Sequence, residues 1–156
     1  MYDSYSPASL YAGLIGGVLF LVGILGFFYS ASFGDPGEVD AVLGVFDVNA
    51  WHNIVHILSG AVGLLAFRAG RNASRTFALA FGLVYLVVAI WGFILGDGES
   101  ILGFLPVNTE DNVLHVVLAL LGIGAYLATA PERETAAPAR GAPRHGACPP
   151  VEQWGP

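Results

Sequence analysis

The chain has 156 residues, of which 55% are hydrophobic and 12% are charged, whereas typical soluble domains carry about 25% charged residues. The mean hydropathy of +0.67 predicts a protein that is surrounded by lipid. The formal net charge is −6 and lysine is absent, which excludes a basic surface for nucleic acid. The single cysteine, Cys148, excludes an intramolecular disulfide and a cysteine metal cage.

Four apolar segments are long enough, or nearly so, to span a bilayer, which takes about 20 apolar residues. They cover approximately residues 10–29, 51–67, 77–95 and 113–129. Uninterrupted apolar runs such as LIGGVLFLVGILGFF lack the alternation of a barrel strand, and lipid requires the backbone to satisfy its own hydrogen bonds. The first segment is expected to be retained, because no positive charge precedes it as in a signal peptide. The predicted fold is all-α: a four-transmembrane-helix bundle with up-down-up-down topology.

The positive residues predict the orientation of this bundle. All six are arginines, and they occur in only two places, the loop after the second span and the C-terminal tail: Arg68, Arg71, Arg75, Arg133, Arg140 and Arg144. The loops after the first and third spans contain acidic residues and no positive ones. The positive-inside rule therefore predicts that both termini are cytoplasmic. We expect a bacterial plasma (inner) membrane protein.

Residues 131–156 differ in composition from the rest of the chain. This segment is rich in proline and alanine, so it buries too little apolar surface to offset its ordering entropy. We predict a disordered cytoplasmic tail here and a transmembrane domain over residues 1–130. The role of Cys148, which lies in this tail, is left open.

An internal repeat relates the second and fourth spans. Three polar pairs share a constant offset of 59 (108 − 49): Asn49 and Asn108, Asn53 and Asn112, and His56 and His115. Each copy contains two spans, so both copies cross the membrane in the same direction. We predict two tandem helical hairpins related by a pseudo-two-fold axis along the membrane normal. His56 and His115 should then lie at equal depth, roughly 10 Å into the helices.

The doubled pattern, LGVF-VN-HNIVH followed by LGFLPVN-DNVLH, resembles a bacterial membrane family catalogued as domain of unknown function 4383. The resemblance covers approximately Leu10 to Ala128. It implies a four-span integral membrane protein without an established activity, and it supplies no catalytic residues.

Helical spacing groups the polar residues with small ones. Residues three or four apart share a helix face, which predicts two stripes: His52, His56, Gly60 and Gly63, and Asp111, His115, Ala119 and Gly122. In lipid, small residues permit close helix contact and polar residues hydrogen-bond across it. We therefore expect the second and fourth spans to meet along these stripes.

The candidate polar cluster has a structural interpretation. Its members are His52, Asn53, His56, Asp111, Asn112 and His115. Asn49 and Asn108 are suited to cap the two helices, and the cluster would supply interhelical hydrogen bonds. On this interpretation the chain is a structural or accessory membrane protein without a cofactor. Its partners would be the lipid bilayer and another membrane protein or further copies of itself.

Two functional alternatives remain for the same residues. In the first, His56 and His115 bind a metal ion or haem iron, for which imidazole is a suitable ligand, and His52 or Asp111 adds further ligands. In the second, the cluster is the outer end of a pathway for protons or a small solute. We expect no enzymatic activity, because Ser59 is the only serine near a histidine and no triad accompanies it.

Overall fold

A computed structural model of the chain describes residues 5–33, 40–42 and 45–132. Within these ranges lie four long helices: α1 (Pro7–Gly26), α2 (Ala50–Ala69), α3 (Arg71–Leu95) and α4 (Thr109–Leu127). Each is long and apolar enough to cross a membrane. The all-α fold class with four candidate spans is thus confirmed, and the helices indicate a multi-pass membrane protein. The predicted tail beyond residue 132, including Cys148, lies outside the described residues.

The helices begin earlier than their apolar segments. The Ser6 side chain accepts a hydrogen bond from the Ser9 backbone N–H at the start of α1, and Pro7 is the first helical residue, a position where proline loses no hydrogen bond. α3 begins at Arg71, six residues before the predicted segment, and only Gly70 separates it from α2. Gly70 has φ +102°, a conformation that glycine adopts without strain. Hydropathy therefore located the lipid-facing part of each helix rather than its first turn.

Two short β-hairpins precede α2 and α4. β1 (Asp40–Val42) pairs with β2 (Phe46–Val48), and β3 (Ser100–Ile101) pairs with β4 (Leu105–Pro106), both antiparallel. The pairs Ala41 with Asp47 and Ser100 with Pro106 have the same register at an offset of 59 (100 − 41). The paired strands of the two loops thus share one register.

The helices pack most extensively in two pairs, α1 against α2 and α3 against α4. Each pair forms a helical hairpin. Gly16 lies against Gly60, while Gly26, near the other end of α1, lies against Asn53 near the start of α2. These contacts run in opposite directions along the two helices, so α1 and α2 are antiparallel. Contacts of Gly82 with Ala119 and of Gly92 with Asn112 give the same arrangement for α3 and α4.

The prediction that the second and fourth spans meet along their small residues is wrong. Gly60 and Gly63 face α1, and Ala119 and Gly122 face mainly α3. The facing helices, α1 and α3, carry glycines of their own at the same heights in the bundle. Within each helical hairpin, the small residues of one helix therefore meet those of the other, and the close backbone approach increases the dispersion contact between the two helices.

The buried core of the described residues combines aromatic side chains with alanines and leucines. Tyr11 from α1 lies beside Phe77 and Phe81 of α3, with ring centroids 6.3 and 6.4 Å away. Its hydroxyl donates a 2.8 Å hydrogen bond to the Leu118 carbonyl of α4. The outward face of α1, by contrast, exposes large apolar residues such as Leu14. Such an exterior suits contact with lipid and not with water.

Candidate functional site

Asn49 and Asn108 each cap a helix. Both residues are extended, with φ −138°, which stops the helix and turns the side chain toward its first turn. The Asn49 side-chain oxygen accepts from the His52 backbone N–H at 2.8 Å, and that of Asn108 accepts from Asp111 at 2.9 Å. These bonds satisfy backbone donors that have no partner inside the helix.

The same asparagines also connect the two hairpins. The Asn49 side-chain amide donates to the Phe104 carbonyl at 2.6 Å, and that of Asn108 donates to the Val45 carbonyl at 2.8 Å. Val45 and Phe104 are themselves 59 residues apart (104 − 45). Each helix cap is therefore bonded to the loop of the other hairpin, in a reciprocal arrangement.

Three histidines lie together just inside these caps. His52 and His56 come from α2 and His115 comes from α4, and their candidate ligand atoms all lie within 4.8 Å of one another. The rings of His52 and His56 meet edge to face with centroids 4.5 Å apart. His115 lies edge to face with Tyr85 of α3, at 4.9 Å. Side chains from three helices thus converge at one point.

The hydrogen bonds of these histidines leave ring nitrogens available. Nδ1 of His52 lies 3.0 Å from the Asp47 carbonyl oxygen, and since a carbonyl only accepts, Nδ1 carries the proton and Nε2 has a free lone pair. His115 is buried, and its Nδ1 has no hydrogen-bond partner among the described residues. The buried Oδ2 of Asp111 likewise lacks one. Unpaired buried polar atoms are uncommon in folded proteins and call for a physical explanation.

The structure divides the six residues of the predicted cluster. The three histidines come together, whereas Asn53 and Asn112, each 1% exposed, lie inside their own helical hairpins. Asn53 donates to the Ser30 carbonyl at 2.9 Å. Consecutive helical residues point about 100° apart, so His52 and Asn53 face different neighbours. Among the described residues, Asp111 is not part of the close histidine group, although it lies one turn before His115.

A cavity of about 410 Å³ adjoins the histidines, between α2 and α3. Its polar lining consists of the three histidines together with Ser59 and Tyr85, and the rest is apolar. The side chains of Ser59 and Tyr85 lie within reach of each other, and Tyr85 also touches His115. The polar groups therefore form one contiguous patch in an apolar cavity.

Tyr85 is a site residue that the sequence patterns above did not predict. A signal was available, because Phe77, Phe81 and Tyr85 recur every four residues and so share one face of α3. A tyrosine hydroxyl in an otherwise apolar span needs a hydrogen-bond partner. What the spacing does not indicate is that this partner, Ser59, lies on α2.

The cavity opens sideways through the surface of the helix bundle. Leu58, Val62 and Val84 line it and are 60%, 56% and 56% exposed. At its other end, Ile101 and Val107 of the β3–β4 region line the cavity and are buried. The opening is thus flanked by apolar side chains of two candidate membrane spans.

Comparison with known protein families matches residues 9–128 to the family described as Domain of unknown function (DUF4383). The chain belongs to the DUF4383 family. No curated protein and no solved structure matches it. The match includes α2, α3, α4 and nearly all of α1, so the histidines and the cavity lie inside the DUF4383 domain.

Proposed function

We propose that this protein is a membrane protein that binds a transition-metal ion through His52, His56 and His115. The observation that carries the proposal is the convergence of three imidazoles from two helices, with ligand atoms within 4.8 Å of one another. Imidazole is a preferred ligand of zinc, copper, iron and nickel. Three protein ligands would leave a coordination position open toward the cavity.

The surroundings of the histidines support this assignment. Ligating histidines commonly donate their second ring N–H to a backbone carbonyl, which fixes the tautomer, as His52 does to Asp47. Coordination would also give the unpaired Nδ1 of His115 a partner. Three neutral imidazoles bring no negative charge, so the nearby Asp111 carboxylate would offset part of the charge of the ion.

Metal binding would require the rings to move closer together. Nitrogens bound to tetrahedral zinc at about 2.0–2.1 Å are about 3.4 Å apart. The present separation of up to 4.8 Å would therefore shrink by as much as about 1.4 Å. His56 is only half-buried, so rotation of its side chain is the simplest way to close this gap.

A bare ion is favoured over haem by the lining of the cavity. Among the described residues that form it, none is an arginine, and the chain contains no lysine. Haem propionates would thus lack the cationic partners that normally bind carboxylates.

We further propose a bacterial plasma membrane location with both termini cytoplasmic, an up-down-up-down arrangement and a pseudo-two-fold axis along the membrane normal. The orientation is supported by Arg68, Arg71 and Arg75, which lie where α2 ends and α3 begins, whereas the histidines lie in the first turns of α2 and α4. The axis is supported by the reciprocal Asn49 and Asn108 hydrogen bonds.

A structural or accessory role is the second candidate, with other membrane proteins or further copies of the chain as partners. It is favoured by the asparagines, which act as caps and links between elements. A purely structural role does not explain why three histidines from two helices lie so close together. A proton or solute pathway has less support, because the described cavity lining beyond the polar patch is apolar.

Metal analysis of the purified full-length protein tests the proposal. The protein would be stripped with a chelator, equilibrated with Zn²⁺ or Co²⁺, and analysed by mass spectrometry for bound metal. We expect about one ion per chain, and an absorption spectrum of the Co²⁺ form typical of tetrahedral nitrogen ligation. His52→Ala, His56→Ala and His115→Ala should each weaken binding at least tenfold, since each removes one of three ligands.

The matched control is His145→Ala, which removes the remaining histidine, in the tail outside the described residues. It should bind metal as the native chain does. If native protein retains no metal, or if the three helical variants bind like the control, metal binding is refuted and the accessory role becomes the better candidate. A Soret band in the purified protein would instead establish haem.

A further inference from the structure

We infer that the cavity beside the histidines binds a membrane-soluble molecule whose planar ring carries carbonyl oxygens, the chemistry of a quinone. The inference goes beyond the proposed metal site and does not depend on it, because it rests on the walls and opening of the cavity. The metal site and the cavity site have only the three histidines in common.

The size and lining of the cavity suit a small amphipathic ligand. Its volume of about 410 Å³ falls within the range of about 300–1,000 Å³ that is usual for small-molecule sites. Such sites are mostly apolar, with a few convergent polar groups that orient the ligand. Here those groups are the three histidines, Ser59 and Tyr85, in a single contiguous patch.

The ligand would enter from the lipid. The opening lies between exposed apolar residues of two candidate spans, Leu58 and Val62 on α2 and Val84 on α3. Ile101 and Val107, which are 4% and 2% exposed, close the end next to the β3–β4 loop. A molecule that enters by this route must first dissolve in hydrocarbon, which excludes ions and small polar metabolites.

An aromatic wall favours a planar ring over an acyl chain. Phe77, Phe81 and Tyr85 line the cavity and are stacked along α3 with centroid separations of 4.9 and 4.1 Å. Aromatic rings interact favourably with a further ring in offset-stacked or edge-to-face geometry, beyond simple burial of area. A flexible acyl chain has no ring and gains no such ring–ring interaction.

The polar patch suits a carbonyl oxygen on that ring. A carbonyl only accepts hydrogen bonds. The N–H of His52 is already donated to Asp47, so the donors that the patch offers are the N–H groups of His56 and His115 and the tyrosine or serine O–H groups. With a metal ion on the histidines, the same oxygen would occupy the open coordination position. In both cases the carbonyl end of the ligand lies against the histidines and its apolar substituent extends toward the opening.

Two valines on α3 provide a matched pair for testing this site. Val84 lines the opening and Val87 does not, yet their side chains are 56% and 61% exposed. Tryptophan at position 84 would obstruct the opening, whereas tryptophan at position 87 would only add an apolar group to the lipid-facing surface. Both variants leave the histidines, Ser59 and Tyr85 unchanged.

The experiment uses the full chain in phosphatidylcholine nanodiscs that contain no quinone. Decyl-substituted benzoquinone would be titrated and the bound fraction measured after separation of the nanodiscs, with empty nanodiscs as the baseline for partitioning. We expect saturable binding of one molecule per chain, at least tenfold weaker in Val84→Trp and unchanged in Val87→Trp. A photoreactive azidoquinone should label residues of the cavity wall.

Three outcomes would overturn the inference: uptake no greater than in empty nanodiscs, equal affinity of the two valine variants, or saturable binding of oleate but not of the quinone. Metal content of the native protein is measured in the same samples. Metal without quinone binding would refute this inference alone, and quinone binding without metal would refute the proposed metal site alone.

Discussion

Gly60 lies against α1 with no space for a side chain. A Cβ atom at this position would be 2.7 Å from the Gly16 carbonyl oxygen and from the Phe20 Cα atom, and it would also collide with the Phe20 backbone nitrogen. All of these are backbone atoms, so none can rotate away. Because ordinary contacts begin near 3.4 Å, Gly60→Ala must separate α1 from α2 by at least about 0.7 Å.

The expected cost follows from that separation. A gap of about 0.5–1 Å forfeits a quarter to a half of the dispersion energy of each affected contact, and overpacking typically costs about 1–3 kcal/mol. Because the neighbouring atoms belong to rigid backbone, the overpacking cost of Gly60→Ala should lie near the upper end of this range. The higher helix preference of alanine offsets about 0.5–1 kcal/mol of that cost. We expect the free energy of unfolding to fall by about 2 kcal/mol.

The control is Gly17→Ala, on the same helix pair. A Cβ at Gly17 has no neighbour within 4 Å, so this variant should gain about 0.5–1 kcal/mol from helix preference alone. Reversible unfolding in mixed detergent micelles, followed by circular dichroism, would measure both. Equal stability of the two variants would refute the argument that the α1–α2 interface depends on backbone contact at Gly60.

Three further predictions concern the links between elements and the orientation. Asn49→Asp keeps the cap oxygen but loses the amide donor to the other helical hairpin, so it should lower the free energy of unfolding by about 1 kcal/mol, and Asn49→Ala by more; unchanged stability of Asn49→Asp would show that the amide contributes nothing. Tyr11→Phe should cost about 1 kcal/mol through its buried hydroxyl, whereas the same change at the exposed Tyr29 should cost nothing measurable. In a Cys148→Ser background, Asp97→Cys should react with an impermeant maleimide outside the cell and Arg71→Cys should not; the reverse pattern would invert the proposed orientation.

The helices and their caps were accessible to sequence reasoning because their causes are local. Apolar runs located all four long helices of the described part of the chain, since length and composition decide whether a helix suits lipid. Asn49 and Asn108 were identified as caps from residue type and position alone, and both accept the expected hydrogen bonds. The two β-hairpins escaped notice because strands of two or three residues leave almost no pattern.

The assembly of the site could not be predicted from local sequence patterns. Helical spacing groups His52 and His56 with Gly60 and Gly63, but spacing alone does not determine which helix each face contacts. The tertiary structure directs Gly60 and Asn53 toward α1 and leaves His56 on the cavity side. That choice depends on matching glycines in α1 and α3, which are distant in sequence.

The amino-acid sequence by itself determined the number of helices, their suitability for lipid and the doubled asparagine–histidine pattern, because hydropathy and capping act within a few residues. Only the tertiary structure decided that the small residues pack inside each hairpin, that His52 joins His56 and His115 while Asn53 does not, and that a lipid-facing cavity with Tyr85 in its wall adjoins them. Those features depend on which helix faces meet in space. Complementary backbone contact and aromatic packing across the whole bundle decide that.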